Sequence, residues 1–385
     1  MSRFFDLVSK PARDLGITNA TVPAAAPVAG PSLLVKLDSN ENPFGPSPRV
    51  LNAMQAALRR SNAYPDDDCG QLRRDLASYH GLPPEQVMVT AGSTALLSLL
   101  CQTLLAPGLN AVTGQCSFVV YSMAVRAAGG QLVEAPMCDN GFDLEAILAA
   151  VDAHTRIVFL ANPNNPTGTL LEASAIERFV DRLPSHVVLI LDEAYYEFAQ
   201  HFATLRKVNY SNSLEFVRQG ASVVVLRTFS KAHGLAGLRI GYGLGPAELL
   251  AYCARMRNTF SVSSVAQAGA LAALDDSLHI KRVVENNAMQ SEVLQAGLSA
   301  LGYRVVPTSA NFLFCNVGED AAGVANQLQE EGVAIRPLGH WGAPNCIRVT
   351  IGTPEQNQTF LSAAQRLGMR RTAAELDVSS PARRM

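Results

Sequence analysis

The chain has 385 residues, enough for about two domains at roughly 100 to 200 residues each, which excludes a peptide hormone or a small disulfide scaffold. Lysine and arginine number 31 against 33 acids, a net charge of -2, and charged residues are only 17%, so no overall field draws the chain to nucleic acid or an anionic membrane. Hydrophobic residues reach 48%, but the most apolar runs, such as 187–191, are far shorter than the about 20 residues of a membrane helix, and a soluble protein is expected.

Residues 1–36 read as an N-terminal arm. Its Ala/Pro-rich patch from Thr21 to Ala29 follows Asp14 and is broken by Pro23 and Pro27, with Pro31 beyond it, so no signal-peptide core forms and a flexible segment is expected. From residue 37 to 274 short β-rich runs alternate with helical-period runs. Strands are expected at 87–90, 156–161, 187–191 and 222–226, with helices such as 94–105 and 173–183 between them. This is the pattern of an α/β large domain, a mostly parallel sheet covered by helices. From 275 to 370 the texture changes to a long helix at 280–301, strands at 303–306 and 311–316, another helix and a strand at 346–351, a smaller α+β domain. Residues 371–385 lack apolar periodicity and are expected to form a mobile tail. The seven cysteines are scattered and never form a CxxC pair, so neither a metal site nor a disulfide framework is indicated and a reducing cytoplasm fits.

Four of these strands end in polar or glycine-rich clusters, and in open α/β sheets the ligand site lies outside the carboxyl ends of the strands. The clusters are Ala91-Gly92-Ser93-Thr94, 162–168 with Asn164 and Asn165, Asp192-Glu193-Ala194-Tyr195, and Arg227-Thr228-Phe229-Ser230-Lys231. Only five lysines occur, and Lys231 alone directly follows a buried-looking strand. There it can lose its proton by desolvation and act as a nucleophile towards an aldehyde; on position alone it reads equally as a surface lysine. Asp192, after an apolar strand, reads equally as a helix N-cap, as does Ser93. Gly241-Tyr242-Gly243-Leu244-Gly245 is not a GxGxxG fingerprint and reads as strand packing.

Six motifs in order, Ser39-Asn40-Glu41-Asn42-Pro43, Asn62-Ala63-Tyr64-Pro65, Asn164-Asn165-Pro166-Thr167-Gly168, Asp192-Glu193-Ala194-Tyr195, Ser230-Lys231 with Arg239, and Ile347-Arg348-Val349, resemble the fold-type I aminotransferases that use pyridoxal 5'-phosphate (PLP). Within them the chain resembles the histidinol-phosphate aminotransferase branch, from about Leu37 to Leu367. The resemblance implies that Lys231 holds PLP as a Schiff base and then moves the substrate proton, and that Asp192 pairs with the pyridine nitrogen. Asn165 and Tyr195 are implied to donate to the ring's 3' oxygen. Gly92, Ser93 and Thr94 at a helix N-terminus, with Ser230 and Arg239, are implied to hold the phosphate. Phe118 is implied to stack on the ring, although Cys116 stands where the family has a proline, and a core role for Phe118 remains open. His233, two residues past Lys231, is a weaker candidate base.

Arg348 is implied to grip the substrate's carboxylate, and Arg336 a second anionic group; a structural ion pair is the other reading of Arg336. Tyr64 is implied to reach the phosphate in the other subunit, hence a homodimer. The implied reaction moves an amino group from an amino donor to a 2-oxo acid in two half-reactions, with histidinol phosphate and 2-oxoglutarate as the first pair. Relatives acting on aromatic or other amino acids and a threonine-phosphate decarboxylase are the alternatives. Pro23–Pro31 carries no tyrosine where the branch has one near the substrate phosphate, so weaker use of histidinol phosphate is expected. A non-catalytic PLP-binding regulatory domain is a further alternative, but no basic helix-turn-helix pattern precedes Leu37.

Overall fold

The strand Val223–Thr228 is buried at all positions, as expected where helices cover both faces of a parallel sheet. It sits inside a seven-stranded sheet whose order is Val87–Thr90, Gly241–Leu244, Val223–Thr228, Val188–Asp192, Thr155–Ala161, Asn110–Gly114 and Gln131–Ala135. All neighbours run parallel except Gly241–Leu244, which is antiparallel to both of its partners. The structure, a computed structural model, describes residues 8–15, 34–318 and 320–367. The expected tail at 371–385 and the stretch Pro23–Pro31 lie outside the described residues.

The four expected strands form with shifted ends. Val223–Thr228 runs two residues further than its apolar pattern because Arg227, which looks like a loop residue in sequence, is matched by buried Glu193 at 2.8 Å. The helix expected at 173–183 is Ala173–Val180, burying Ala173, Ile176 and Phe179 on one face. It ends in three-residue turns, Arg182 N–H to the Phe179 carbonyl and Leu183 N–H to that of Val180, because Pro184 cannot continue it.

A second sheet is antiparallel, in the order Arg304–Val306, Phe312–Asn316, Cys346–Thr350, Arg336–Pro337. The 24-residue helix Ser277–Ala300 packs against it, begun by Asp276 accepting from His279 N–H. The two largest apolar cores among the described residues lie one with each sheet. Leu37, taken from sequence as the start of the large domain, packs in the second core, and Val35–Lys36 pairs in parallel with Val333–Ala334. The arm expected to be flexible also contains a described helix, Lys10–Asp14, beside helix Val120–Ala127. Among the described residues no helix is long and apolar enough to cross a membrane.

Candidate active site

The carboxyl ends of the parallel strands open on one cavity of about 330 Å³, lined by Ser93, Thr94, Asn165, Asp192, Tyr195, Ser230 and Lys231. Phe118, Arg239, Arg336 and Arg348 also line it, joined by Ser39, Asn40 and Trp341; of the residues expected from sequence, Gly92 and Tyr64 do not line it. Tyr64 is elsewhere. It is 83% exposed and stacks on Phe260, ring centroids 4.6 Å apart.

Lys231 follows the central strand, and its Nζ donates to the Ser39 carbonyl at 3.1 Å. Burial, then the positive charge of Arg348, pushes its pKa down to about 7, so the neutral amine is within reach at physiological pH. Asp192 closes the adjacent strand and is 7% exposed. Burial pushes its carboxyl up to about 6, opposed by hydrogen bonds from the Tyr121 hydroxyl at 3.1 Å and Ala194 N–H at 3.2 Å.

Beside Lys231 the donors fit a phosphate dianion. Ser93 opens the helix Ser93–Leu104, whose first N–H groups have no partner within the helix. Arg239 Nη1 donates to Ser230 Oγ at 3.3 Å and to the Ala236 carbonyl at 2.9 Å, so its partners are neutral. Ser230 Oγ also accepts from Thr228 Oγ1 at 2.9 Å. Gly92 adopts φ +87°, and a Cβ there would lie 2.6 Å from Arg239 Nη2. Only glycine therefore leaves the helix N-terminus and the guanidinium side by side.

Opposite this cradle, Arg348 is 6% exposed and comes from the small antiparallel sheet. Its Nη1 donates to Asn165 Oδ1 at 2.6 Å and its Nη2 to the Asp38 carbonyl at 3.0 Å, while Nε is buried without a partner. Burial lowers its pKa to about 10. A buried cation with neutral partners and one orphaned donor is suited to an anionic ligand. Arg336 pairs with Asp38 Oδ2 at 3.3 Å while lining the cavity, so the ion pair weighed for it from sequence is present.

Because Asn165 Oδ1 is taken by Arg348, its amide nitrogen is the side left to donate. Likewise the Tyr195 oxygen accepts from Asn40 Nδ2 at 2.9 Å, which leaves its own hydrogen to donate. His233 pairs with Glu197 at 3.5 Å and does not line the cavity. Among the described residues no cluster could hold a metal. Ser39 and Asn40 belong to a family-like motif that carries no expected role for them, and no motif marks Trp341 or Tyr121. The signal for Tyr121 was its place three residues past Phe118, in the first turn of helix Val120–Ala127.

The family model described as aminotransferase class I and II matches residues 33–363. The chain belongs to this aminotransferase family. A histidinol-phosphate aminotransferase 2 from Pseudomonas fluorescens strain Pf0-1 is 42% identical over 337 residues, covering 88% of this chain and 90% of the relative. A histidinol-phosphate aminotransferase from Moorella thermoacetica is 40% identical over 337 residues, covering 87% and 85%. Among solved structures, the histidinol-phosphate aminotransferase of Sinorhizobium meliloti in complex with pyridoxal-5'-phosphate superposes with a TM-score of 0.82 at 30% identity, over 88% of this chain and 91% of that one. Aspartate aminotransferase from Thermus thermophilus with maleate gives 0.76 at 26% identity, over 87% and 91%. The two-sheet architecture is that of the fold-type I aminotransferases.

Proposed function

We propose that this aminotransferase uses PLP to move an amino group between histidinol phosphate and 2-oxoglutarate. The observation that carries the reading is Lys231. Its amine is half-buried, has its pKa depressed to about 7, and lies in one cavity with a buried carboxylate and a phosphate-shaped set of donors. Relatives named histidinol-phosphate aminotransferase at 40 to 42% identity support the substrate pair.

Bound there, PLP supplies an electron sink for the carbon that loses a proton. Lys231 Nζ would anchor the cofactor through its aldehyde and, once released, would accept and return the substrate's proton. Asp192 would hold the proton on the ring nitrogen. Asn165 Nδ2 and the Tyr195 hydroxyl would donate to the ring oxygen, and Phe118 would pack against the ring. Ser93, Thr94, Ser230 and Arg239 would hold the phosphate, with Gly92 giving them room. Arg348, through its unpartnered Nε, binds the carboxylate of glutamate or the phosphate of the other substrate, and Arg336 adds positive charge beside it.

The working unit in this reading is a homodimer of two-domain subunits in the cytoplasm, in which exposed Tyr64 reaches the partner's phosphate site. The aromatic rings of Phe118 and Trp341 on the cavity wall favour, as a second reading, an aromatic amino acid as donor. A single-turnover screen decides. The PLP-loaded protein is mixed with histidinol phosphate, each aromatic amino acid or O-phosphothreonine while the cofactor's absorbance is followed. Fastest conversion by histidinol phosphate supports the first reading, by an aromatic amino acid the second. Carbon dioxide released from phosphothreonine would contradict both.

A further inference from the structure

Tyr121 lies in helix Val120–Ala127, is 1% exposed and does not line the cavity. Its hydroxyl nevertheless donates to Asp192 Oδ2 at 3.1 Å, while Oδ1 accepts from Ala194 N–H at 3.2 Å. Among the described residues it is the one side-chain donor to this carboxylate. The ring is fixed on both sides. It stacks on Phe159 with centroids 4.5 Å apart and planes 7° from parallel, and Phe118 meets it edge-on at 5.6 Å. Phe159 and Asp192 belong to neighbouring parallel strands, so sheet and stack together hold the phenol against the carboxylate.

We propose that Tyr121 is a positioning residue whose hydroxyl holds the Asp192 carboxylate ionised and in one orientation, so that Asp192 can keep the cofactor's ring nitrogen protonated. This rests on the role given to Asp192 above. The other charged or titratable groups facing Asp192 are Glu193, which opposes its ionisation, Lys231, which favours it, and the Tyr195 phenol. Lys231 cannot be relied on for that charge, because its own proton is held weakly and is used in the reaction. Tyr121 lies outside the cavity, so its hydroxyl does not take up the substrate's proton. Without that hydroxyl the buried carboxylate becomes more basic, and the proton it shares with the ring nitrogen moves to oxygen. A buried tyrosine commonly finds some partner for its hydroxyl, so a purely structural role is the competing explanation.

The test is nitrogen-15 NMR of protein loaded with PLP labelled at the ring nitrogen, for the native chain, Tyr121→Phe and Asp192→Asn across a pH series. Phenylalanine keeps the stack and removes only the hydroxyl. The expected result is a protonated ring nitrogen in the native chain, a neutral one in Asp192→Asn, and in Tyr121→Phe a nitrogen signal displaced toward the neutral position across the pH series, an about tenfold change in the ratio of nitrogen-bound to oxygen-bound proton. The turnover number of Tyr121→Phe should fall with the KM of the amino donor unchanged. A Tyr121→Phe signal matching the native one while Asp192→Asn is neutral would overturn the proposal and leave the Asp192 reading intact. A protonated nitrogen in Asp192→Asn would overturn that reading instead, and the proposal with it. Tyr121→3-fluorotyrosine, a stronger donor of nearly the same shape, should move the nitrogen signal toward the protonated position. A displacement toward the neutral position there would also overturn the proposal, even if Tyr121→Phe folded poorly.

Discussion

The amine of Lys231 donates to the backbone carbonyl of Ser39, 192 residues earlier, at 3.1 Å. Ser39 follows Leu37, which packs in the second core, whereas Lys231 ends a strand of the first. The nucleophile is thus held at the seam between the two cores. A neutral acceptor fixes its position without supplying the negative charge that would keep it protonated.

From this follows a pH dependence. Burial, then Arg348, lowers the Lys231 pKa to about 7 from 10.5, so between those values the unfolded chain binds one more proton than the folded one. The cofactor-free protein should therefore gain stability as pH rises through that window. Covalent capture of PLP needs the neutral amine, so its rate in stopped-flow absorbance should climb up to about pH 7 and then level off. A flat profile through neutrality would contradict the assignment. Lys231→Ala should fold, bind PLP reversibly and yield no pyridoxyl-peptide after borohydride reduction; a labelled Lys207 or Lys281 in the native chain would place the anchor elsewhere.

Asp192→Asn preserves the side-chain shape and removes the charge. Its transamination rate should fall by about two orders of magnitude or more, as expected when a buried charge that stabilises the reacting state is lost. Thermal melting should change little, because burial makes the carboxylate costly to hold ionised in the folded protein. Near-native turnover would refute the role.

Gly92→Ala introduces a methyl group 2.6 Å from Arg239 Nη2 at a residue with φ +87°. The guanidinium must move away from the helix N-terminus. Equilibrium dialysis should show PLP affinity weakened by about tenfold or more, about 1.4 kcal/mol, with borohydride trapping on Lys231 retained. Unchanged affinity would mean that the phosphate is held elsewhere.

Arg348→Lys replaces a planar fork by a point charge and removes the orphaned Nε. The KM for glutamate should rise by about tenfold, again about 1.4 kcal/mol, with a smaller effect on the turnover number. A comparable loss for Arg336→Lys is not expected, since Arg336 already spends part of its charge on Asp38. Steady-state kinetics with both variants separates the two.

Tyr64→Ala and Lys231→Ala subunits should each be inactive alone, and mixing them should restore activity, because a hybrid dimer carries one intact site in the proposed arrangement. The exposed ring of Tyr64, stacked on Phe260, makes this a test of assembly rather than of the subunit's own fold. An active monomer in analytical ultracentrifugation would refute it.

Alternation of apolar strands and amphipathic helices was legible in the linear chain, and with it the gathering of Ser93, Asn165, Asp192, Ser230 and Lys231 at one end of the sheet. Strand polarity and crossover handedness are local properties that carry strand ends to a common edge. The choice of partners was not legible. Arg348 meets Asn165 across 183 residues, Asn40 meets Tyr195 across 155, and Tyr121 meets Asp192 across 71. Each of these polar groups is buried, and a buried polar group takes whichever complementary atom the packing of distant segments delivers within hydrogen-bond reach. The depressed Lys231 and raised Asp192 values have the same origin: desolvation depends on how completely both cores close over the site, which only the assembled tertiary structure decides.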